Sequence, residues 1–246
     1  MGLETLSDDE LERYARHLVL PEIDEAGQAK IAKGRVVLAG LGGIGTQVLP
    51  ALVGAGVGWL GLYDPDIVAR DNLNRQTIYQ TNQLGTAKVD AAKVFAYQLN
   101  PHVTVKRWQD RFPPVINSNI DVVVDGTDTK TARLAVAQTC LNAGVPLISA
   151  SAIGYDGQVF VQAAEGLPCY ACWVGQQSEP EQRCADAGIF GPCAQLTGAW
   201  AATLVIRRLL QNDDSNRLWL LDTRQLRTIS LTVPAQPDCS LCSKRV

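Results

Sequence analysis

The uncharged stretch from Val36 to Tyr63, interrupted by a glycine turn, most constrains what this chain can fold into. Arg35 to Ala39 reads as a buried strand and Gly40-Leu41-Gly42-Gly43-Ile44-Gly45 as a turn. An apolar helix runs on to about Ala55, and a second apolar strand, Trp59 to Tyr63, ends at Asp64. This is a β–turn–α–β unit. The stretch is long enough to raise the possibility of a membrane span. Its eight glycines and Pro50 divide it into short pieces instead, so no membrane partner is expected. Glycines in such a turn let backbone N–H groups approach phosphate oxygens, and the helix N-terminus adds a favourable partial charge. Asp64 stands 19 residues beyond Gly45, where a carboxylate accepts hydrogen bonds from ribose hydroxyls. Gly40, Gly42, Gly43, Gly45 and Asp64 are therefore candidate nucleotide ligands. By itself the turn fits an NAD- or FAD-dependent oxidoreductase equally well.

The alternation continues. Thr86 to Leu99 is helix-like, Val103 to Trp108 strand-like, Asp121 to Asp125 a strand, Thr131 to Asn142 a helix stopped by Gly144, and Val145 to Ser149 a strand. Ahead of it, Ser7 and Glu10 match a capping box, with Leu11, Tyr14, Ala15 and Leu18 at helical spacing. Beyond about residue 150 the pattern changes. Tyr155-Asp156-Gly157-Gln158 signals a hairpin turn before Val159-Phe160-Val161, and Gln176 to Arg183 is a polar loop or crossing segment. Leu196 to Leu210 is an apolar helix, and Arg217 to Asp222 pairs with Thr228 to Val233. The expectation is α/β: a doubly wound, mostly parallel Rossmann-like sheet with an antiparallel C-terminal extension. A single domain over 1–246 would divide into a nucleotide-binding part at about 30–150 and a second part at about 151–246.

Net charge is −3, which gives no electrostatic reason to bind nucleic acid or anionic membrane. Met1-Gly2-Leu3-Glu4 lacks a basic region followed by an apolar one, so a cytoplasmic location is expected. Cys169 and Cys172 form one C-x-x-C, and Cys239 and Cys242 another. In a reducing compartment, two such pairs read as a tetrahedral thiolate site for Zn²⁺, closed to water and hence structural. Two redox dithiols are the alternative.

The segment after the ribose acid separates nucleotidyl transfer from hydride transfer. Asp71-Asn72-Leu73-Asn74-Arg75-Gln76 sets an amide and a guanidinium just beyond it, Lys88 follows a Gly85-Thr86-Ala87 turn, and Thr127-Asp128 lies past another strand. Strand ends at one edge of a doubly wound sheet converge on one crevice. Cations there would hold a triphosphate, and an acid would hold Mg²⁺. The plain alternatives are that Arg75 and Lys88 are solvated surface charges and that Asp128 caps the helix starting near Lys130.

These motifs resemble the ThiF/MoeB family of adenylating enzymes, bacterial relatives of the ubiquitin-activating enzymes. The similarity spans about Ser7 to Cys242. It rests on Arg13-Tyr14-Ala15-Arg16-His17, Gly40 to Gly45, Asn72 to Gln76, Lys88, Thr127-Asp128 and the two C-x-x-C pairs. The resemblance implies that Asp64 binds ribose, that Asn72, Arg75 and Lys88 bind phosphates, that Asp128 binds Mg²⁺ and that the four cysteines hold zinc. It also implies a homodimer in which Arg16 reaches the neighbouring subunit's ATP site. Thr129 departs from the pattern, since the family commonly has Asn there.

Cys184 ends the polar run beside Arg183, where a thiol is accessible and biased toward the thiolate. Read alone it is an incidental surface thiol or a nucleophile with no evident base. The surrounding Glu179 to Gly188 resembles the ThiF branch, in which a cysteine here joins the carrier through an acyl disulfide. That implies a ThiS-like sulfur carrier of thiamine thiazole synthesis and a persulfide-bearing sulfur donor. The alternative is MoeB-like activation of the molybdopterin-synthase carrier. Cys140 reads as core, and Cys193 has no clear role. The implied reaction is attack of a terminal glycine carboxylate on the ATP α-phosphate, with Arg16, Arg75, Lys88 and Mg²⁺ opposing the developing charge. Two other classes compete: the oxidoreductase above and a non-catalytic scaffold that only binds a ubiquitin-like tail.

Overall fold

In the computed structural model, residues 6–113, 115–175 and 188–243 are described. Eight strands form one sheet in the order β3-β2-β1-β4-β5-β6-β7-β8. They are β1 Arg35–Ala39, β2 Trp59–Tyr63, β3 Thr104–Trp108, β4 Val122–Asp125, β5 Leu147–Ile153, β6 Asp156–Gln162, β7 Arg217–Asp222 and β8 Arg227–Thr232. The first five pair in parallel, and β5 through β8 are antiparallel. The expected fold class holds.

Helices α1 Asp8–Arg13, α2 Ala15–Leu18, α3 Asp24–Lys33, α4 Gly45–Ala55, α5 Lys88–Leu99, α6 Lys130–Ala143, α7 Tyr170–Val174 and α8 Gly191–Leu209 fill the connections. β4 opens on a continuous apolar run, Val122 to Val124, because helices cover both faces there. On one face Leu49, Leu52 and Val53 of α4 meet Ala201, Ala202 and Val205 of α8 over Val36, Leu38 and Ile148. On the other, Val136, Ala137 and Cys140 of α6 pack over Val37, Val123 and Phe160. Cys140 is core, as expected. No helix among the described residues is long and apolar enough to cross a membrane.

Three local readings differ from the sequence. The Ser7 capping box is present, but its helix stops at Arg13 and restarts at Ala15, so of the stripe Leu11, Tyr14, Ala15 and Leu18 only Tyr14 is buried. Tyr14 is held by Asn100 Nδ2, which donates to its hydroxyl at 2.9 Å, and its ring lies against Gly56. The β5–β6 reversal falls at Gly154-Tyr155, with Asp156 to Gln158 already in β6, because Gly154 supplies the left-handed φ of +57° that only glycine adopts without strain. The third is α3, which carries no clear apolar period; it ties to the body through Gln28, whose Nε2 donates to the Ala55 carbonyl at 2.8 Å.

Candidate nucleotide and metal sites

β1 connects outward to β2 on one side while β4 lies on its other side, which makes the gap beyond β1 and β4 the topological switch point where open α/β sheets bind ligands. Two glycine loops meet there. Gly40 has φ +93°, and a Cβ on it would lie 3.0 Å from the Gly126 carbonyl oxygen. A Cβ on Gly45 would overlap the Gly40 carbonyl. Gly42 is different: a Cβ there would find nothing nearer than Gln76 Nε2 at 4.0 Å, so this face of the turn is open. No side chain caps α4, and among the described residues the N–H groups of Gly42, Gly43 and Ile44 have no acceptor. Free N–H groups at a helix start form an anion seat.

Asp64 is buried, and both its oxygens are engaged from below. Oδ2 accepts from Leu41 N–H at 2.6 Å, and Oδ1 accepts from Asp66 N–H at 2.8 Å. Burial pushes its carboxyl above the ordinary range, opposed by the Lys88 charge and the two N–H bonds. Lys88, the first residue of α5, is likewise buried, with Nζ 2.9 Å from Asp66 Oδ2 and 4.0 Å from Asp64 Oδ1. It is therefore not a solvated surface charge. A buried ammonium needs such partners, and here it stands beside the acid that the sequence assigned to ribose.

Asn72 is buried, donating to Asp71 Oδ1 at 3.1 Å and accepting from Ala69 N–H. Arg75 folds back on its own loop, donating to the Asp71 carbonyl at 2.7 Å and to Asn74 Oδ1 at 3.0 Å, while its methylenes lie beside Gly43. Gln47 Nε2 pins the same loop through the Arg75 carbonyl at 3.0 Å. Gln76 is buried beside Gly42, and its Oε1 has no partner. A buried orphan acceptor costs free energy unless a ligand or water satisfies it, so the pocket fits a polar guest.

Across the crevice, Thr127 donates to Asp125 Oδ1 through both N–H (3.0 Å) and Oγ1 (2.7 Å). Asp128 is exposed. It is not the cap of α6: Thr129 Oγ1 accepts from Ala132 N–H at 3.2 Å and does that work. The departure at Thr129 thus keeps a capping hydroxyl and leaves the Asp128 carboxylate available.

Arg16 does not join this group. It is exposed, with no ion pair among the described residues, and follows Tyr14 at the C-terminal end of α4. An 11-residue helix separates that point from the glycine turn by about 16 Å. Cys184 lies outside the described residues.

Sequence reading missed an aromatic wall. Tyr63 and Trp108, at the ends of β2 and β3, stack with centroids 4.6 Å apart and rings 7° from parallel, and Phe112 meets Tyr63 edge-on at 5.6 Å. They flank Asp64. The signal was the register Tyr63↔Trp108, which needs the strand order to be known.

At the far side of the second face, Cys169, Cys172, Cys239 and Cys242 place their four sulfurs within 4.8 Å of one another, all buried. Cys169–Cys239 is 3.4 Å, Cys172–Cys242 3.5 Å and Cys169–Cys172 3.9 Å. Four thiolates at ordinary Zn–S lengths around a tetrahedral ion stand about 3.8 Å apart, so the set fits zinc. Burial pushes the Cys169 and Cys242 thiols up.

A cavity of about 440 Å³ lies on the face left bare by α6 and α7, bounded by Ser151, Ile153, Gln158, Leu220, Arg227 and Ile229. It begins at the crevice edge, where β5 ends and β6 starts.

Fold and site together define a doubly wound α/β protein with a glycine turn at its switch point and a buried cluster of four cysteines. The chain belongs to the ThiF family, whose profile matches residues 14–241. It is 36% identical over 250 residues to Bos taurus adenylyltransferase and sulfurtransferase MOCS3, covering 98% of this chain and 55% of that protein. It is 32% identical over 253 residues to the SAMP-activating enzyme E1 of Haloferax volcanii, covering 98% and 92%. The chain thus spans about half the length of the MOCS3 relative and nearly all of the archaeal one. The crystal structure of E. coli MccB with ATP shares the fold, with a TM-score of 0.79 at 22% identity over 94% of this chain and 74% of that one.

Proposed function

We propose that this chain uses MgATP to adenylate the C-terminal carboxylate of a small ubiquitin-like sulfur-carrier protein. The observation that carries the reading is convergence at one switch point: unpartnered N–H groups of Gly42 to Ile44, the Asp64–Lys88 pair, and an Asp128 carboxylate that no helix cap consumes. In this reading Asp64 holds the ribose, the Tyr63–Trp108–Phe112 wall flanks the base, and Asn72, Arg75, Gln76 and Lys88 face the phosphates. Asp128 would hold Mg²⁺, which supplies charge neutralisation as pyrophosphate leaves. A carboxylate nucleophile is ionised at neutral pH, so the chain's task is to position the terminal glycine and oppose charge, with no general base. The bare sheet face beside Ser151 and Leu220 leads to the crevice and is the track for the carrier's tail.

The two named relatives are an adenylyltransferase that is also a sulfurtransferase and a SAMP-activating enzyme. Between a ThiS-like thiazole carrier and a MoeB-type carrier, these relatives lean toward the MOCS3, MoeB-like side. The sulfurtransferase activity in the MOCS3 name is not carried over, because this chain spans only 55% of that protein. Arg16, remote from its own crevice, acts across a homodimer in this reading. Heat protection tests the nucleotide class: MgATP should raise the melting temperature through linkage and NAD should not. Protection by NAD alone would return the chain to the oxidoreductase reading.

A further inference from the structure

Two aromatic rings stand locked, and still half open, where the bare sheet face meets the phosphate crevice. Tyr155, in the β5–β6 turn, and Phe190, immediately before α8, stack with centroids 5.0 Å apart and rings 28° from parallel. The segments that carry them form a short parallel bridge. Gly154 N–H donates to the Gly188 carbonyl at 3.0 Å, and Phe190 N–H donates to the Gly154 carbonyl at 2.8 Å. The Tyr155 carbonyl accepts from Thr223 through N–H (3.0 Å) and Oγ1 (2.7 Å). The Arg224 guanidinium, from the β7–β8 turn, lies over the Tyr155 ring, 4.6 Å from its centroid. Phe190 is held from the crevice side. A Cβ on Gly191 would lie 2.9 Å from the Asn74 carbonyl oxygen and 3.8 Å from Arg75 Cβ, and a Cβ on Gly43 would lie 3.6 Å from Ala194 Cβ. The first turn of α8 is therefore wedged against both the Arg75 loop and the glycine turn. Tyr155, for its part, stands between Ile153 and Asp156 in the chain, and both of these line the cavity. Locked as they are, Tyr155 is 40% and Phe190 41% exposed, which leaves much of both rings for a guest to cover.

We infer that Tyr155 and Phe190 filter the end of the carrier's tail, so that only residues without a side chain pass from the cavity to the ATP α-phosphate. They are specificity-determining residues for a glycine terminus. The inference rests on the adenylation reading above. Two physical reasons favour glycine at such a place. A peptide unit with no Cβ lies flat on an aromatic face, whereas an added methyl group must displace a wall that is braced on three sides, and overpacking of that kind is unfavourable. Glycine also takes φ of either sign at no steric cost, which suits a chain that turns from the sheet face into the crevice.

The test is kcat/KM for pyrophosphate exchange with one ubiquitin-like carrier in two forms: ending in its own glycine, and with that glycine replaced by alanine. The wild type should favour the glycine form at least about tenfold, the scale on which a closed pocket discriminates one methyl group. Phe190→Ala and Tyr155→Ala should each bring the preference down to about threefold or less, by gaining on the alanine form. Rings that merely hold the turn in place would slow both forms alike in these variants and leave the ratio unchanged, and that result overturns the filter. So does a wild type that uses both forms equally. Where an alanine variant does not fold, Phe190→Leu and Tyr155→Leu keep apolar packing, remove the flat ring and should lower the ratio as well. Heat protection by MgATP, read on the same samples, checks that the crevice is intact. An unchanged ratio with MgATP protection and glycine-dependent exchange both present removes the filter alone. No exchange with any glycine-ended carrier removes the adenylation reading, and the filter with it.

Discussion

The backbone N–H of Leu41, inside the glycine turn, donates to Asp64 Oδ2 at 2.6 Å, so the acid at the end of β2 is bolted to the turn at the end of β1. Asp64 accepts a second N–H, from Asp66, on its other oxygen. One carboxylate thus holds two loops.

Asp64→Asn is isosteric, but its amide NH₂ would face a backbone donor. We expect a loss of about 1–3 kcal/mol in stability together with loss of MgATP binding. The pH dependence has a definite sign. Burial raises the Asp64 carboxyl in the folded state, so between its ordinary value of 3.8 and its folded value the native chain binds more protons than the unfolded one. Stability contributed by this group therefore falls as pH rises through that window. Denaturant titrations across acidic pH should show the limb flattened in Asp64→Asn; an unchanged profile would show that Asp64 does not titrate abnormally.

The four cysteines should carry about one Zn²⁺ per chain. Cys239→Ser should release it and lower thermal stability, because Cys239 and Cys242 pin the C-terminal segment to α7 and α6 through this cluster. Fresh protein without zinc, with all four thiols freely titratable, would contradict the site.

Much of this was legible in advance for physical reasons. Apolar runs bounded by glycine placed β1 and β2 to the residue and α4 to within one residue at its start, since Gly45 reads as turn, and paired C-x-x-C spacing found all four sulfurs. Features that depend on partners distant in sequence were not legible. The Tyr63–Trp108 stack needs the β2–β3 register. The buried state of Lys88 needs Asp66 brought beside it, and the role of Thr129 as a cap needs the first residue of α6. Helix α7 is five residues long, too short to show a period.

In the ThiF-type alternative, Cys184 serves sulfur transfer and not adenylation, since the two steps draw on different groups: a thiolate for one and the phosphate crevice for the other. Cys184→Ser should keep carrier-dependent pyrophosphate exchange and lose any reducible covalent adduct with the carrier. Normal thiocarboxylate formation by Cys184→Ser in a reconstituted system would make the thiol incidental and leave a MoeB-like adenylating enzyme.

The most direct measurement is isotope exchange between pyrophosphate and ATP, in the presence and absence of candidate ubiquitin-like carriers ending in glycine. Reversible adenylate formation predicts exchange that requires Mg²⁺ and one such carrier. It should be abolished when the carrier's terminal glycine is removed, and reduced by at least about a hundredfold in Asp128→Ala, the scale of losing a charge-stabilising group at the transition state. Carrier-independent exchange, or wild-type exchange in Asp128→Ala, would contradict the account.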